Sequence, residues 1–139
     1  MVPRKPLAQT AQRAGWQGCN ITLFQMPSIA KISLVVSRQP LPASLIKEKW
    51  KSASSLLKAD VSSRGWLTDV LKCVEQQFST FTLQTLYESS EDELQKKHPN
   101  NRNIRPKIRQ QLQRLRDLGF VEFVKPGLYR LGKKGSDRT

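Results

Sequence analysis

The stretch WLTDVLKCVEQQ, residues 66–77, places apolar and polar residues with the period of a helix. Its apolar residues fall on one helical face: Trp66, Val70, Cys73 and Val74. The stretch therefore predicts an amphipathic helix in which Trp66 is a packing residue. The preceding KADVSSRG, residues 58–65, predicts a connector, so a new folded unit is expected to begin near Gly65 or Trp66.

Residues 81–99 predict a short strand followed by two short helices. Phe81 and Thr82 form an extended pair, and Thr82 is suited to cap a helix that runs through Tyr87. A further helical turn is expected around residues 92–96, and Pro99 ends it. The acids of this segment are expected to point away from any phosphate; they are Glu88, Glu91, Asp92 and Glu93.

The most informative helix is predicted in NNRNIRPKIRQQLQRLRDLGF, residues 100–120. At about 100° per residue, its aliphatic side chains form one stripe: Ile104, Ile108, Leu112, Leu115 and Leu118. The opposite face is polar and basic: Arg105, Arg109, Gln110, Gln113 and Arg116. Asn103 is a suitable N-cap, and Pro106 fits the first turn, where a missing N–H costs little. The stripe is predicted to be core, and the opposite face to contact another molecule.

The stretch VEFVKPGLYRL, residues 121–131, predicts a β-hairpin that turns at Pro126 and Gly127. Gly119 stands where a helix would end in the left-handed conformation. Helix, strand, helix, basic helix and hairpin is the order of a winged helix-turn-helix domain, whose third helix enters the DNA major groove. We assign this domain to residues 61–133, followed by a basic tail at residues 134–139, and expect an α+β fold.

Charge narrows the choice of partner. The chain has 24 Lys+Arg against 11 Asp+Glu and a formal net charge of +13, which indicates a polyanionic partner. Double-stranded DNA is the first expectation and an anionic membrane surface the second. No apolar run is long enough to span a bilayer and no signal-peptide pattern opens the chain. We therefore expect no membrane contact and a monomeric, soluble protein of the bacterial cytoplasm, associated with the nucleoid.

The cysteines and the histidine do not suggest a metal or disulfide framework. Cys19 and Cys73 lie far apart, without CxxC spacing, and His98 is the only histidine. No zinc site is expected, and both thiols are expected to be reduced.

The DNA-contacting candidates follow from the place of the basic helix in this motif. Residues near its start contact bases most easily: Asn101, Arg102, Asn103, Arg105 and Arg109. Capping competes with base contact at Asn103, so its structural role is favoured. Gln110, Gln113 and Arg130 complete the predicted set, and lysines suit phosphates: Lys96, Lys97, Lys107, Lys125 and Lys133. The alternative is that this face is only a solvated surface.

Two long phrases, AGWQGCNI at 14–21 and NNRNIRPKIRQQLQRLRDLGFVEF at 100–123, resemble the C-terminal part of the DpnI-like, or Dam-replacing, restriction endonucleases. The resemblance covers nearly the whole chain up to Leu131. It implies a nuclease domain of the PD-(D/E)xK type, a C-terminal winged helix, and cleavage at GATC sites with N6-methylated adenine. Residues 1–60 would then be an incomplete remnant of the nuclease domain, with strands at 21–23 and 31–36, plus a linker helix. The apolar spacing of LIKEKWKSASSLL, residues 45–57, predicts that helix, with Trp50 as a packing residue.

The chain also departs from that family. A PD-(D/E)xK nuclease needs two carboxylates and a lysine around Mg²⁺, yet residues 1–47 contain no Asp or Glu. The catalytic motif is expected before Met1, so this chain is predicted to be truncated and inactive alone, with no cofactor of its own. Mg²⁺ is implied only for the full-length family nuclease.

Trp16 has two interpretations that stay open. By resemblance it lies at the methyladenine, where an indole face offers apolar contact to a methyl group. A tryptophan between glycines is otherwise a core or loop anchor. For the chain as a whole, the alternatives to a methyl-directed DNA-binding module are the nuclease in its complete form, a stand-alone winged-helix transcriptional regulator and a nonspecific DNA-binding protein.

Overall fold

The computed structural model describes residues 1–58 and 60–133, so the predicted basic tail at 134–139 lies outside the described residues. The strands of the N-terminal part are β1 (Val2–Pro3), β2 (Cys19–Asn20), β3 (Val35–Val36) and β4 (Gln39–Pro40), followed by helix α1 (Ala43–Ser54). The C-terminal part contains α2 (Val61–Glu75), β5 (Phe81–Thr82), α3 (Leu83–Lys97), α4 (Ile104–Asp117), β6 (Val121–Lys125) and β7 (Leu128–Leu131). Within the described ranges, no helix is both long and apolar enough to cross a membrane.

The N-terminal part is mostly irregular. Strands β1 and β2 pair antiparallel, as do β3 and β4, and each strand has 2 residues. The predicted strand at 21–23 is wrong, and the one predicted at 31–36 is limited to Val35–Val36. Ile21 and Leu23 are 68% and 53% exposed, because neither a neighbouring strand nor a core covers them.

Helix α1 was correctly predicted as a helix, but the packing role of Trp50 was not. Trp50 is 59% exposed, and no residue of α1 is buried. The helix contacts the 3-10 helices Ser28–Ala30 and Ser55–Lys58 rather than lying across the main core. Amphipathic spacing alone therefore overstated the burial of this segment.

Helix α2 forms the centre of the core. It begins at Val61, so the prediction of a connector up to Gly65 is wrong. The Asp60 carboxylate accepts a hydrogen bond from the Ser63 N–H at 2.9 Å, which caps the helix one turn before the first predicted helical residue. The predicted face is buried as expected, together with two residues that the pattern had not singled out, Leu67 and Leu71.

Helix α3 is one continuous helix rather than the two short helices predicted. Thr82 caps it as expected, in a capping box with Thr85. The buried residues Leu86, Ser90 and Leu94 continue one helix face through the acidic run, so that run does not break the helix. The helix ends at Lys97, just before His98 and Pro99.

Helix α4 follows the predicted pattern closely. Ile104, Ile108, Leu112 and Leu115 are at most 4% exposed, and burial of each such side chain contributes about 1.5–3 kcal/mol. Gln111 is fully buried as well, which the apolar stripe did not indicate. The helix packs on both α2 and α3.

The C-terminal sheet has the strand order β5–β7–β6, and both pairs are antiparallel. The predicted turn is confirmed: Gly127 has φ +76° between β6 and β7, and Gly119 has φ +82° after α4. These left-handed values favour glycine. The prediction of a mixed helix and strand fold is confirmed, and the order of these elements fits a winged helix.

The contacts between the N-terminal part and the core include one acid and two buried apolar side chains. Ser28 donates its N–H to the Glu75 carboxylate of α2 at 2.8 and 3.0 Å, and its hydroxyl at 2.6 Å. Ile29 and Leu56 are 8% and 6% exposed and belong to the same apolar cluster as α2 and α4. Residues 28–30 and the core of 60–133 are therefore in direct contact.

Candidate nucleic-acid interface

The outer face of α4 is a polar surface that the fold leaves exposed. Every residue predicted on this face is exposed: Arg105, Arg109, Gln110, Gln113 and Arg116. An open groove runs between α3 and α4, lined by Tyr87, Arg105, Pro106, Arg109, Gln110, Gln113 and Arg114. Because the aliphatic stripe fixes the opposite face in the core, the orientation of this basic face is determined by packing.

The start of α4 is stabilised differently from the prediction. Asn103 is at the N-cap position, but its side chain makes no capping hydrogen bond. The Asn101 side chain instead accepts the Asn103 N–H at 2.8 Å, and the Asn101 N–H bonds to the His98 carbonyl at 3.0 Å. The expectation that the Asn103 amide serves as the cap is therefore wrong, because Asn101 closes the turn. The exposed Asn103 amide is available to another molecule.

Arg105 is held by residues of α3. Its Nε and Nη2 both lie 2.8 Å from Glu91 Oε2, and its guanidinium carbon lies 5.5 Å from the centroid of the Tyr87 ring. Hydrogen bonding and charge attraction from Glu91 raise the pKa of Arg105 further above its usual range. Glu91 therefore faces the basic helix, so the prediction that the acids of this segment all point away from it is wrong for Glu91.

The turn between α3 and α4 contains a cluster that sequence reasoning missed. The His98 ring stacks on Trp66 with centroids 3.8 Å apart, and His98 Nε2 lies 2.8 Å from Asp69 Oδ2. Lys97 lies 3.4 Å from Asp69 and 2.9 Å from Glu93. Burial alone would lower the pKa of Lys97, but its hydrogen bonds and charge attraction with these acids raise it. This lysine, predicted to contact phosphate, therefore already has two acidic partners.

The remaining predicted contacts are distributed over the helix and the hairpin. Arg102 and Lys96 are exposed before α4, and Lys107 is half-buried within it. Lys125 and Lys133 are exposed at the hairpin. Arg130 pairs across the hairpin with Glu122, with Nε and Nη2 at 2.9 and 2.7 Å from Oε2.

Trp16 lies in an irregular hairpin of residues 2–20. Backbone bonds join Arg4 to Gly18 and Leu7 to Trp16, at 2.9 and 3.0 Å, beyond the β1–β2 pair. The indole is 57% exposed. A Cβ at Gly18 would lie 3.1 Å from the indole ring, so the absence of a side chain there leaves space for the ring. Exposure excludes the interpretation of Trp16 as a core residue, and its interpretations as a loop anchor and as a methyl contact both stay open.

The described residues do not fit the metal site that the resemblance implies. Among residues 1–58 and 60–133, no three His, Cys, Asp or Glu side chains group in a way that could hold a metal ion. Glu48 is the one acid in residues 1–58. We therefore assign no metal ligand and no catalytic step to these residues.

Two family models match the chain. Residues 62–131 match the Dam-replacing HTH domain, and residues 1–59 match the Dam-replacing family. The boundary between the two matches falls at residues 60–61, where Asp60 caps α2. The matched domain is a helix-turn-helix, in agreement with the order of α2, α3 and α4.

Proposed function

Because the chain belongs to the Dam-replacing family, we propose that its winged helix binds double-stranded DNA as a reader of GATC sites that carry N6-methyladenine. In this proposal the chain is the C-terminal part of a methyl-directed type II restriction endonuclease. A helix-turn-helix domain suggests DNA binding, and the family places that binding in restriction and modification. The observation that carries the proposal is the exposed basic and amide face of α4.

The side chains of this face suit the chemistry of a major groove. Arg pairs with guanine through O6 and N7, and Asn or Gln pairs with adenine through N6 and N7. We assign base contact to Arg105, to Arg109 and to Asn103, whose side chain makes no capping hydrogen bond. The flanking charges of Lys107 and Lys125 suit phosphates, which add affinity without sequence information. The salt dependence of binding then distinguishes this face from a merely solvated one.

Trp16 is our candidate for contact with the methyl group. Its indole is exposed on the hairpin of residues 2–20, and an aromatic face offers apolar contact to N6-methyladenine. We place Trp16 in residues 1–60, as part of the remnant of the nuclease domain with its linker helix. The carboxylates and the Mg²⁺ of cleavage would belong to the complete family nuclease, outside this chain.

Fluorescence anisotropy with three short duplexes tests the reader proposal. The duplexes differ only at one GATC site, which is unmethylated, hemimethylated or fully N6-methylated. We expect the tightest binding to the fully methylated duplex, with a Trp16→Ala variant that reduces the difference. Equal binding to all three duplexes would contradict methyl reading and favour a nonspecific DNA-binding protein or a regulator with another site.

A further inference from the structure

Arg105 differs from the other predicted base-contacting arginines because it is held in place before any partner arrives. Its guanidinium bonds Glu91 Oε2 through Nε and Nη2, both at 2.8 Å. Arg102 and Arg109 form no ion pair with any carboxylate of the described residues. An arginine that is already ordered loses less conformational entropy on binding than a mobile one.

The contact with Glu91 uses only one edge of the guanidinium. The group has five N–H donors in a planar fork, and Nε with one hydrogen of Nη2 faces the carboxylate. The other edge, formed by Nη1 and the second hydrogen of Nη2, is the pair of donors that matches O6 and N7 of guanine. The Arg105 side chain is 54% exposed, whereas that of Glu91 is 35% exposed. Glu91 thus occupies one edge of the Arg105 guanidinium, while the Arg105 side chain as a whole stays accessible to a partner.

Tyr87 supplies a second constraint on the same group. Its half-buried ring lies 5.5 Å from the Arg105 guanidinium carbon, within the range of a cation–π contact. Tyr87 and Glu91 are one helical turn apart on α3, so they approach Arg105 from the same helix. Both Tyr87 and Arg105 line the groove between α3 and α4, which also contains Arg109 and Gln113. The constraint therefore lies within the surface that we assign to DNA.

We propose that Glu91 and Tyr87 are positioning residues that hold Arg105 for bidentate recognition of a guanine in the major groove. This inference rests on the proposed DNA-binding function and adds a specific base contact to it. It also gives α3 a role in specificity, although Glu91 itself would be repelled by phosphate. Recognition of this base then depends on residues of both α3 and α4 rather than on α4 alone.

Binding to a duplex with 7-deazaguanine at both guanines of one fully methylated GATC site tests the inference. This base keeps Watson–Crick pairing but lacks the N7 acceptor. We expect the wild-type full chain to bind the modified duplex at least about five-fold more weakly than the unmodified one. Arg105→Gln should reduce this ratio the most, leaving only the contribution of Arg109. Glu91→Gln and Tyr87→Leu should each reduce it at least about two-fold.

Glu122→Gln is the matched control for Glu91→Gln. Glu122 holds Arg130 through the same atoms at similar distances, and the two carboxylates are 37% and 35% exposed. Both changes remove one negative charge, so both should strengthen nonspecific binding alike. Only Glu91→Gln should change the ratio between the two duplexes. A thermal melting midpoint equal to that of the wild type excludes misfolding as the cause of a changed ratio. For Tyr87, the variant Tyr87→Phe keeps the ring and should therefore keep the wild-type ratio.

The outcomes separate this inference from the proposed function. A ratio that Glu91→Gln leaves at the wild-type value would overturn the positioning role. Salt-sensitive binding by the wild type with equal affinity for both duplexes would overturn the guanine contact and leave DNA binding intact. No salt-sensitive binding to any duplex would overturn both.

Discussion

Replacing Glu75 with alanine should release residues 28–30 from α2 while the winged helix stays folded. Glu75 is the last residue of α2, and its side chain is 11% exposed. It accepts the Ser28 N–H at 2.8 and 3.0 Å and the Ser28 hydroxyl at 2.6 Å. These bonds place a carboxylate at the start of the 3-10 helix Ser28–Ala30, so the acid caps an element from a distant part of the chain.

The expected magnitude follows from the number of donors. The Ser28 N–H is shared between both carboxylate oxygens, so the bonds involve two donors, N–H and O–H. A hydrogen bond to a charged group contributes about 1.5–3 kcal/mol, and partial exposure of Ser28 reduces this to about 1 kcal/mol per donor. The loss of about 2 kcal/mol corresponds to an increase of about 30-fold in the equilibrium constant for local opening.

Native-state amide hydrogen exchange measures this opening directly. The Ala30 and Lys31 amides bond to Pro27 and Ser28 within the same turn, so their exchange reports its local unfolding. We expect about 30-fold faster exchange in Glu75→Ala and a smaller increase in Ser28→Ala, which keeps the N–H. Glu88→Ala is the control, because Glu88 is exposed and accepts a hydrogen bond from Gln84 within α3, away from residues 28–30. Exchange in Glu75→Ala that stays within about two-fold of the wild type would refute the reasoning.

Three further predictions concern the stability and reactivity of the core. Gly65→Ala should stabilise the fold by about 1 kcal/mol in thermal melting, because a Cβ at this position within α2 meets open space. Gly132→Ala should destabilise the fold by about 1–3 kcal/mol, because its Cβ would lie 2.5 Å from a backbone oxygen. Cys19 should react with a thiol reagent at pH 8 while Cys73 does not, because burial raises the pKa of the Cys73 thiol to about 11. The raised pKa of Cys73 should also lower the free energy of unfolding as pH rises from 9 through 11, and a Cys73→Ala variant should lack that decrease. Gln111→Met should stabilise the fold by about 1 kcal/mol, because the fully buried Gln111 has a side-chain oxygen without a hydrogen-bond partner; a lower unfolding midpoint would contradict this.

Periodicity predicted the part of the fold in which one helix face meets one core. The aliphatic stripe of α4 and the apolar face of α2 are buried as expected, because a helix with apolar residues on one face packs that face against the core. It failed where a pattern had no core to pack on. Trp50 has helical spacing with its apolar neighbours, yet α1 lies at the edge of the structure and the indole is 59% exposed.

Local sequence preferences predicted the positions of the turns, but not which of two neighbouring asparagines accepts the hydrogen bond at the start of α4. Gly119 and Gly127 have the expected positive φ because few other residues adopt that conformation easily. Asn101 and Asn103 are both good capping residues, and only the path of the turn decides that Asn101 accepts the hydrogen bond.

Contacts between distant segments could not be predicted from the sequence. The Glu75 carboxylate is 47 residues from Ser28, and Glu91 is 14 residues from Arg105. Neither spacing follows a local rule, so both pairs emerge only when the helices pack. The predicted DNA-binding set contained Arg105 for its place on α4, and the structure adds the residues of α3 that hold it.

Salt-dependent DNA binding by Arg109→Gln, compared with Lys51→Gln, tests the central claim that the exposed face of α4 binds DNA. Both residues are exposed and each change removes one positive charge, but Lys51 lies on α1. Anisotropy with the fully methylated GATC duplex should show weaker binding by Arg109→Gln. Because Arg109 is assigned to a base, this loss should appear at every salt concentration, whereas a slope of log affinity against log salt that is shallower by about 0.9 would indicate a phosphate contact instead. Lys51→Gln should match the wild type. Equal affinity of Arg109→Gln and the wild type at every salt concentration would contradict the account.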